Sequence, residues 1–247
     1  MKFGTLDIEK AYLGSTELDK MYLGSTEVYA KGGSSGGGID ANTLIMLHLD
    51  NNFNDSSLYS STFYTDPSSF TATYVDGLWS KKALHSQSDG LVLYNSDSIV
   101  STAMSGYTID FWTYIDSTNN DSGSGIWVYG GSGGSMGIQI GSSYGSPVFY
   151  INGNEVTSSI STPFSTDTWH HVALEFNNTS KLESLYLDGT LSYSTTNSGL
   201  DLSTGTMLTI IQGIGSTAKI YKQELRFSNI ARYNGDFTPA TGPYTEA

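Results

Sequence analysis

The stretch Tyr107-Thr-Ile-Asp-Phe-Trp-Thr-Tyr-Ile115 alternates Tyr107, Ile109, Phe111 and Ile115 with Thr108 and Asp110. That two-residue period is the signature of a half-buried strand, with one face toward a core. It recurs over residues 169–177, where His170, Val172, Leu174 and Phe176 share a face. Residues 148–156 and 185–193 each place Asn-Gly or Asp-Gly between strand-like runs, the short-range mark of a hairpin closed by a two-residue turn. Further strand candidates are 44–49, 91–94, 126–129, 136–140, 207–211 and 219–227, and no amphipathic helix stands out. So many short strands bury their apolar faces most economically between two layers, so the expectation is an all-β, two-sheet antiparallel sandwich.

The first thirty residues are different, because they repeat. Ile8-Glu-Lys-Ala-Tyr-Leu-Gly-Ser-Thr-Glu17 is followed directly by Leu18-Asp-Lys-Met-Tyr-Leu-Gly-Ser-Thr-Glu27, and a partial copy precedes both. Each unit reads as a strand of about six residues ending in a Gly-Ser turn, too short to bury its apolar face alone. It therefore needs neighbours: other copies of the chain, with a homotrimer ranked first, the surface of a larger assembly, or its own C-terminal domain. Lys31-Gly-Gly-Ser-Ser-Gly-Gly-Gly38 has almost nothing to pack and reads as a linker. The expected organisation is a decad-repeat arm (1–31), a Gly/Ser linker (32–38) and a sandwich (39–247).

Eleven Lys and Arg against 24 Asp and Glu give a net charge of -13, nearly all of it beyond the arm. This charge repels phosphate backbones and anionic lipid heads, so nucleic acid is not an expected partner. The most apolar run, 44–49, is far too short for membrane insertion, and no signal-like N-terminus is visible. The absence of cysteine removes disulfides, thiolate metal sites and cysteine nucleophiles.

Five segments, in order, resemble the concanavalin A-like jelly roll of the laminin-G-like type, in versions common in bacteriophage structural proteins. They are Leu44-Ile-Met-Leu-His-Leu-Asp-Asn-Asn-Phe-Asn-Asp-Ser-Ser57, Gly106-Tyr-Thr-Ile-Asp-Phe-Trp112, Thr168-Trp-His-His-Val-Ala173, Leu185-Tyr-Leu-Asp-Gly189, and Glu224-Leu-Arg-Phe-Ser-Asn-Ile-Ala-Arg-Tyr233 with Asp236-Phe-Thr-Pro239. The Tyr-Leu-Gly-Ser-Thr-Glu decads are similar to repeats near the ends of phage tail and fibre proteins. The resemblance implies a virion-surface protein assembled in the bacterial host cytoplasm, with other virion proteins as partners of residues 1–31. Its sandwich would adhere to host-surface glycans. A capsid decoration or fibre protein that recognises no sugar, and a glycan-degrading module, are the alternatives.

An enzyme would need paired carboxylates at glycosidase spacing, which the glucanase branch presents as Glu-x-Asp-x-(x)-Glu on one strand. Nothing matches: Asp110 is alone, and Glu183 and Asp188 are wrongly spaced. His170 and His171 are neighbours on a strand and point to opposite faces, so they cannot readily share an ion. The Ser-rich loops lack the ordered strand-to-helix frame that a Gly-x-Ser-x-Gly nucleophile elbow requires, and the glycine-rich run 130–137 lacks a phosphate-binding Lys and a following helix. A non-enzymatic role is expected. Calcium is the one cofactor the resemblance brings in, with Asp50, Asp55 and Glu224 as ligands, against solvated turn carboxylates as the alternative. Where the family often reads Asp-Glu-Leu-Arg, this chain has Gln223-Glu-Leu-Arg226, a neutral amide in place of an anion. For glycan binding, Trp127, Tyr129 and Tyr144 are platform candidates, with Trp127 and Trp112 as core residues the competing reading.

Overall fold

The computed structural model describes residues 38–65, 72–86, 93–94, 104–118, 124–129, 135–143, 146–196, 207–213 and 219–246, together with short strands in the first thirty residues. The sandwich strands are β1 (Thr43–Leu47), β2 (Thr73–Asp76), β3 (Lys82–Ser86), β4 (Gly106–Ile115), β5 (Ser124–Tyr129), β6 (Ser135–Ser143), β7 (Ser146–Ile151), β8 (Trp169–Asn177), β9 (Leu182–Leu187), β10 (Thr190–Thr196), β11 (Met207–Gly213) and β12 (Ile220–Ser228). One sheet runs β2-β3-β12-β4-β8-β9-β10, with β1 also paired to β12. The other runs from Asn154–Glu155 through β7, β6, β5 and β11 to Leu93–Tyr94 and Tyr64–Thr65. All these pairings are antiparallel.

The alternation read from sequence is what joins the layers. Ile109, Phe111, Val172, Leu174, Leu185 and Phe227 of the first sheet share one buried cluster with Ile138, Ile140, Phe149 and Ile151 of the second. Each such side chain contributes about 1.5–3 kcal/mol by leaving water. Both anticipated hairpins are present. Ile151 pairs with Asn154 across Asn152-Gly153, and Leu187 with Thr190 across Asp188-Gly189. All four turn residues have positive φ, as a two-residue turn matching strand twist requires. The Asn152 amide then donates to both Glu183 carboxylate oxygens (3.1 and 2.8 Å), fastening the second sheet to β9 of the first.

One expectation changes: β4 is not half-buried, because Thr108 and Asp110 on its outer face are as inaccessible as Ile109. The cause is the segment after β12, which crosses that face and lays Tyr233, Phe237, Ala240 and Tyr244 against Ala173, Tyr186, Met46 and Ile39. Its end, Thr245–Glu246, pairs in parallel with Gly38–Ile39. Trp112 lies on this outer face too, half-buried and edge-on to Trp79 and His171, not between the sheets. In the first thirty residues, short antiparallel strand pairs flank the Gly-Ser step of each full copy and the Gly-Thr step of the partial one. Leu13 pairs with Thr16 and Leu23 with Thr26, and Phe3 with Leu6 in the partial copy. The linker at 32–37 lies outside the described residues.

Candidate functional site

A cleft of about 460 Å³ opens where β12 changes partners. Residues 220–222 of β12 pair with β3 and residues 225–228 with β1, so Gln223 and Glu224 occupy the gap between. The register against β4 shifts at the same place, between Asp110 and Trp112, and Glu224 takes a left-handed φ of 53°. Such a bulge re-aims a side chain out of the ladder. Glu224 thus enters the cleft beside His48, Asp50 and Lys81, with Asn52, Asn54 and Ser56 on one wall and Pro243 to Thr245 on another. Gln223 accepts the Leu78 N–H at 2.9 Å and donates back to the Leu78 carbonyl at 3.4 Å. A carboxylate could not do both, which accounts for the amide there.

The lining is held by side-chain contacts to both side chains and backbone. His48 Nδ1 meets both Glu224 oxygens (2.9 and 3.0 Å), and Glu224 Oε2 also accepts the Tyr244 N–H at 2.8 Å. Glu224 is only 1% exposed and His48 29%. Asp50 accepts the Lys82 N–H at 2.8 Å and pairs with Lys81 at 3.3 Å. The first of these contacts, more than Lys81, holds its carboxyl below the ordinary range against the opposing effect of burial. Asn52 donates to the Asp50 carbonyl (2.9 Å) and accepts the Asn54 N–H (2.9 Å). Leu49 and Asn51 have positive φ, so the loop is fixed by its bonds in a costly backbone form. The Asn54 amide, the Ser56 hydroxyl and His48 Nε2 carry no hydrogen bond among the described residues and remain available to a ligand.

Two of the three carboxylates chosen for calcium, Asp50 and Glu224, therefore share this cleft, and Asp55 does not line it. Asp55 accepts instead from the Met46, Ser57 and Ser61 N–H groups and the Ser57 hydroxyl, all between 2.8 and 2.9 Å. Among the described residues no group of three or more His, Asp or Glu could hold a metal ion. The donor set does not fit calcium, because each carboxylate is already engaged and an ammonium stands where a cation would.

The His170-His171 pair diverges as expected. His170 joins Asp188 (2.6 Å) through Nδ1 and the Ser165 hydroxyl (3.2 Å) through Nε2, and it stacks on Phe164. This Ser-His-Asp arrangement resembles a hydrolytic triad only in outline. His170 Nε2 also sits 3.3 Å from the Ser165 N–H and 3.1 Å from its carbonyl, and Asp188 accepts the His171 N–H at 2.9 Å. The contacts pin the loop before β8 to the β9–β10 turn.

Trp127 and Tyr129 are on β5, and Tyr144 lies outside the described residues. Trp127 pairs in register with Gly137 and Thr209, and Thr209 with Tyr94. The neighbouring register row runs through Ile126, Ile138 and Ile151.

A family model described as the concanavalin A-like lectin/glucanases superfamily, of the laminin G type, matches residues 85–231, more than half of the chain. The chain belongs to this superfamily. Most of the cleft lining, from His48 to Lys81 and from Pro243 to Thr245, lies outside the matched stretch. Domain 4 of AbnA, a GH43 extracellular arabinanase from Geobacillus stearothermophilus solved with arabinotriose, is 19% identical with a TM-score of 0.54, over 80% of this chain and 95% of that one. The botulinum neurotoxin serotype D ligand binding domain, solved with N-acetylneuraminic acid, is 15% identical with a TM-score of 0.52, over 77% and 48%. The type G receptor binding domain is 12% identical with a TM-score of 0.51, over 77% and 48%. The chain spans about half the length of these toxin structures, and at such identities the likeness is one of fold. No curated protein matches it.

Proposed function

We propose that this chain is a non-enzymatic bacteriophage virion protein whose lectin-like sandwich adheres to host-surface glycans through the cleft at His48, Asp50, Asn54, Ser56 and Glu224. The observation that carries the reading is the lining itself: fixed donors and acceptors, three with capacity to spare, at an open edge of a superfamily sandwich. Sugar hydroxyls need this mixture of preoriented polar groups. Two similar folds were solved with a saccharide bound, arabinotriose in one and N-acetylneuraminic acid in the other, which supports the ligand class.

The decad arm serves assembly in this reading. Three short strand pairs bury little by themselves, so they associate with other copies, a trimer first, or dock on other virion proteins. Several copies then multiply the affinity of one shallow cleft. The test is a glycan array probed with the full chain, alongside Asn54→Ala, and localisation of the chain in virions. Binding that Asn54→Ala weakens about tenfold supports the reading. Virion incorporation with no glycan signal points to decoration instead, and sugar release from the array points to a glycan-degrading enzyme. A purified chain that is only monomeric, with incorporation unchanged after deletion of residues 1–31, overturns the role of the arm.

A further inference from the structure

Leu58 and Tyr59 are the two most exposed large apolar side chains among the described residues, at 72% and 53%, and they are adjacent in sequence. Scattered singly, such residues need no explanation, but a neighbouring pair in an ordered loop does. The loop is ordered by Asp55, whose carboxylate gathers the Met46, Ser57 and Ser61 N–H groups and the Ser57 hydroxyl. Ser57 in turn donates to the Leu44 carbonyl (3.0 Å) and accepts the Tyr59 N–H (3.3 Å), and the Ser60 N–H closes a turn on the Ser57 carbonyl (3.1 Å). Ser60 holds a positive φ of 47°. Residues 58 and 59 are therefore held out to solvent by a built support.

We propose that Leu58 and Tyr59 are the apolar platform of a subsite contiguous with the cleft, and that it takes the C–H face of an uncharged pyranose or furanose unit in an oligosaccharide whose neighbouring unit sits in the cleft. This rests on the adhesive reading above and specifies its ligand. Ser56 lines the cleft and Tyr59 follows three residues later, at most about 10 Å along the chain. One oligosaccharide can span both. The phenol ring offers a flat apolar face and a polar tip, the usual match for a sugar with one C–H face and a hydroxyl rim. Asp50 and Glu224 in the cleft, on a chain of net charge -13, disfavour a carboxylated sugar. The ordering of the loop is complete before binding, so little conformational freedom is lost on contact.

The experiment is an array of neutral hexose and pentose oligosaccharides beside sialylated ones. It is probed with the full chain and with Tyr59→Ala, Tyr59→Phe, Leu58→Ser and Asn54→Ala, with thermal melts of each. Expected are a signal confined to neutral glycans, a loss of about tenfold or more in Tyr59→Ala, retention in Tyr59→Phe, and unchanged melting temperatures. Neutral-glycan binding that Asn54→Ala weakens but Tyr59→Ala and Leu58→Ser leave within twofold overturns the platform and leaves the adhesive reading standing. A signal on sialylated glycans alone overturns the ligand class. Absence of any signal overturns both readings. Unchanged glycan binding with a changed oligomeric mass in Leu58→Ser or Tyr59→Ala overturns the platform in favour of a protein contact.

Discussion

Two parts of this molecule use the same side-chain chemistry to opposite ends. Beneath the C-terminal segment, Asp110 takes two bonds from Arg226 (3.1 and 3.0 Å) and one from Tyr244 (2.7 Å). Arg226 goes on to the Gly38 carbonyl (2.8 Å) and Tyr233 (3.0 Å), and its guanidinium lies 4.4 Å from the Tyr244 ring centroid. Asp110, Arg226 and Tyr244 are essentially inaccessible. At the cleft, Asp50 and Glu224 are also bonded, but Lys81, Asn54 and Ser56 stand beside them in an open space. The contrast teaches that a bonded carboxylate marks a ligand site only where neighbouring groups keep unspent capacity and water can be displaced. Under the segment the Asp110 carboxylate and the Arg226 guanidinium are spent on each other and on Tyr233, Tyr244 and the Gly38 carbonyl, and the network ties the segment to β4 and to the start of the sandwich.

The largest effect should come from breaking the sealed network. Asp110→Ala leaves Arg226 buried beside no counter-charge, a loss of about 3–5 kcal/mol. For a chain of this size that lowers the melting temperature by about 10 °C, measurable by calorimetry. The same network sets an acid limit. Burial works to raise the Asp110 carboxyl, but Arg226, with His171 and Tyr244, outweighs it and holds the group at about 2, below its ordinary 3.8. Asp40, paired with Arg232 at 2.7 Å, is likewise held at about 2 against the opposing effect of burial. Groups with lowered folded values stabilise fully above their unfolded value, and the contribution fades as pH falls through the folded one. Denaturation free energy should therefore decline between about pH 4 and pH 2, and the decline should be shallower in Asp110→Ala.

A smaller effect separates the two hairpin glycines, which share a φ of 79°. A Cβ on Gly153 meets nothing within 4 Å, whereas on Gly189 it would stand 2.0 Å from the Phe237 carbonyl oxygen of the covering segment. Gly153→Ala carries the left-handed penalty of about 1 kcal/mol. Gly189→Ala adds displacement of residues 236–240 and should cost at least about 2 kcal/mol. Equal urea midpoints for the two variants would mean that the segment is not held at that turn.

The strands and turns were legible because their signals are local. Ile109, Phe111, Val172 and Leu174 announce their common side by alternation, and Asn152-Gly153 and Asp188-Gly189 announce their turns by chemistry. The burial of Asp110 was not legible by that rule, since its cover arrives more than a hundred residues later from an irregular segment without a period. A weaker sign was present: Asp110 between Ile109 and Phe111, and Arg226 between Leu225 and Phe227, are opposite charges each set in an apolar run. Their pairing across β4 and β12 is what such a coincidence allows. Of the cleft, the sequence pointed to Asp50 and Glu224 but not to their bonded partners, because the gap depends on β12 exchanging β3 for β1. The Leu58-Tyr59 pair was missed, since exposure follows from how Asp55 folds the loop and has no pattern of its own.

The smallest expected effect tests the rim half of the comparison. If the loop from Leu49 to Ser61 is knit by Asp50, Asn52, Asp55 and Ser57 alone, no cation is needed to hold it. The melting temperature in excess chelator should then agree within about 1 °C with that in millimolar calcium. A calcium ion bound at a hundred times its dissociation constant would add about 2.7 kcal/mol, or several degrees for a chain of this length. A rise of that size would mean that Asp50 or Glu224 surrenders Lys81 or His48 to a metal, and the rim would then be a cation site. An unchanged melting temperature leaves Lys81 to neutralise Asp50, with the Asn54 amide and Ser56 hydroxyl open to the glycan proposed above.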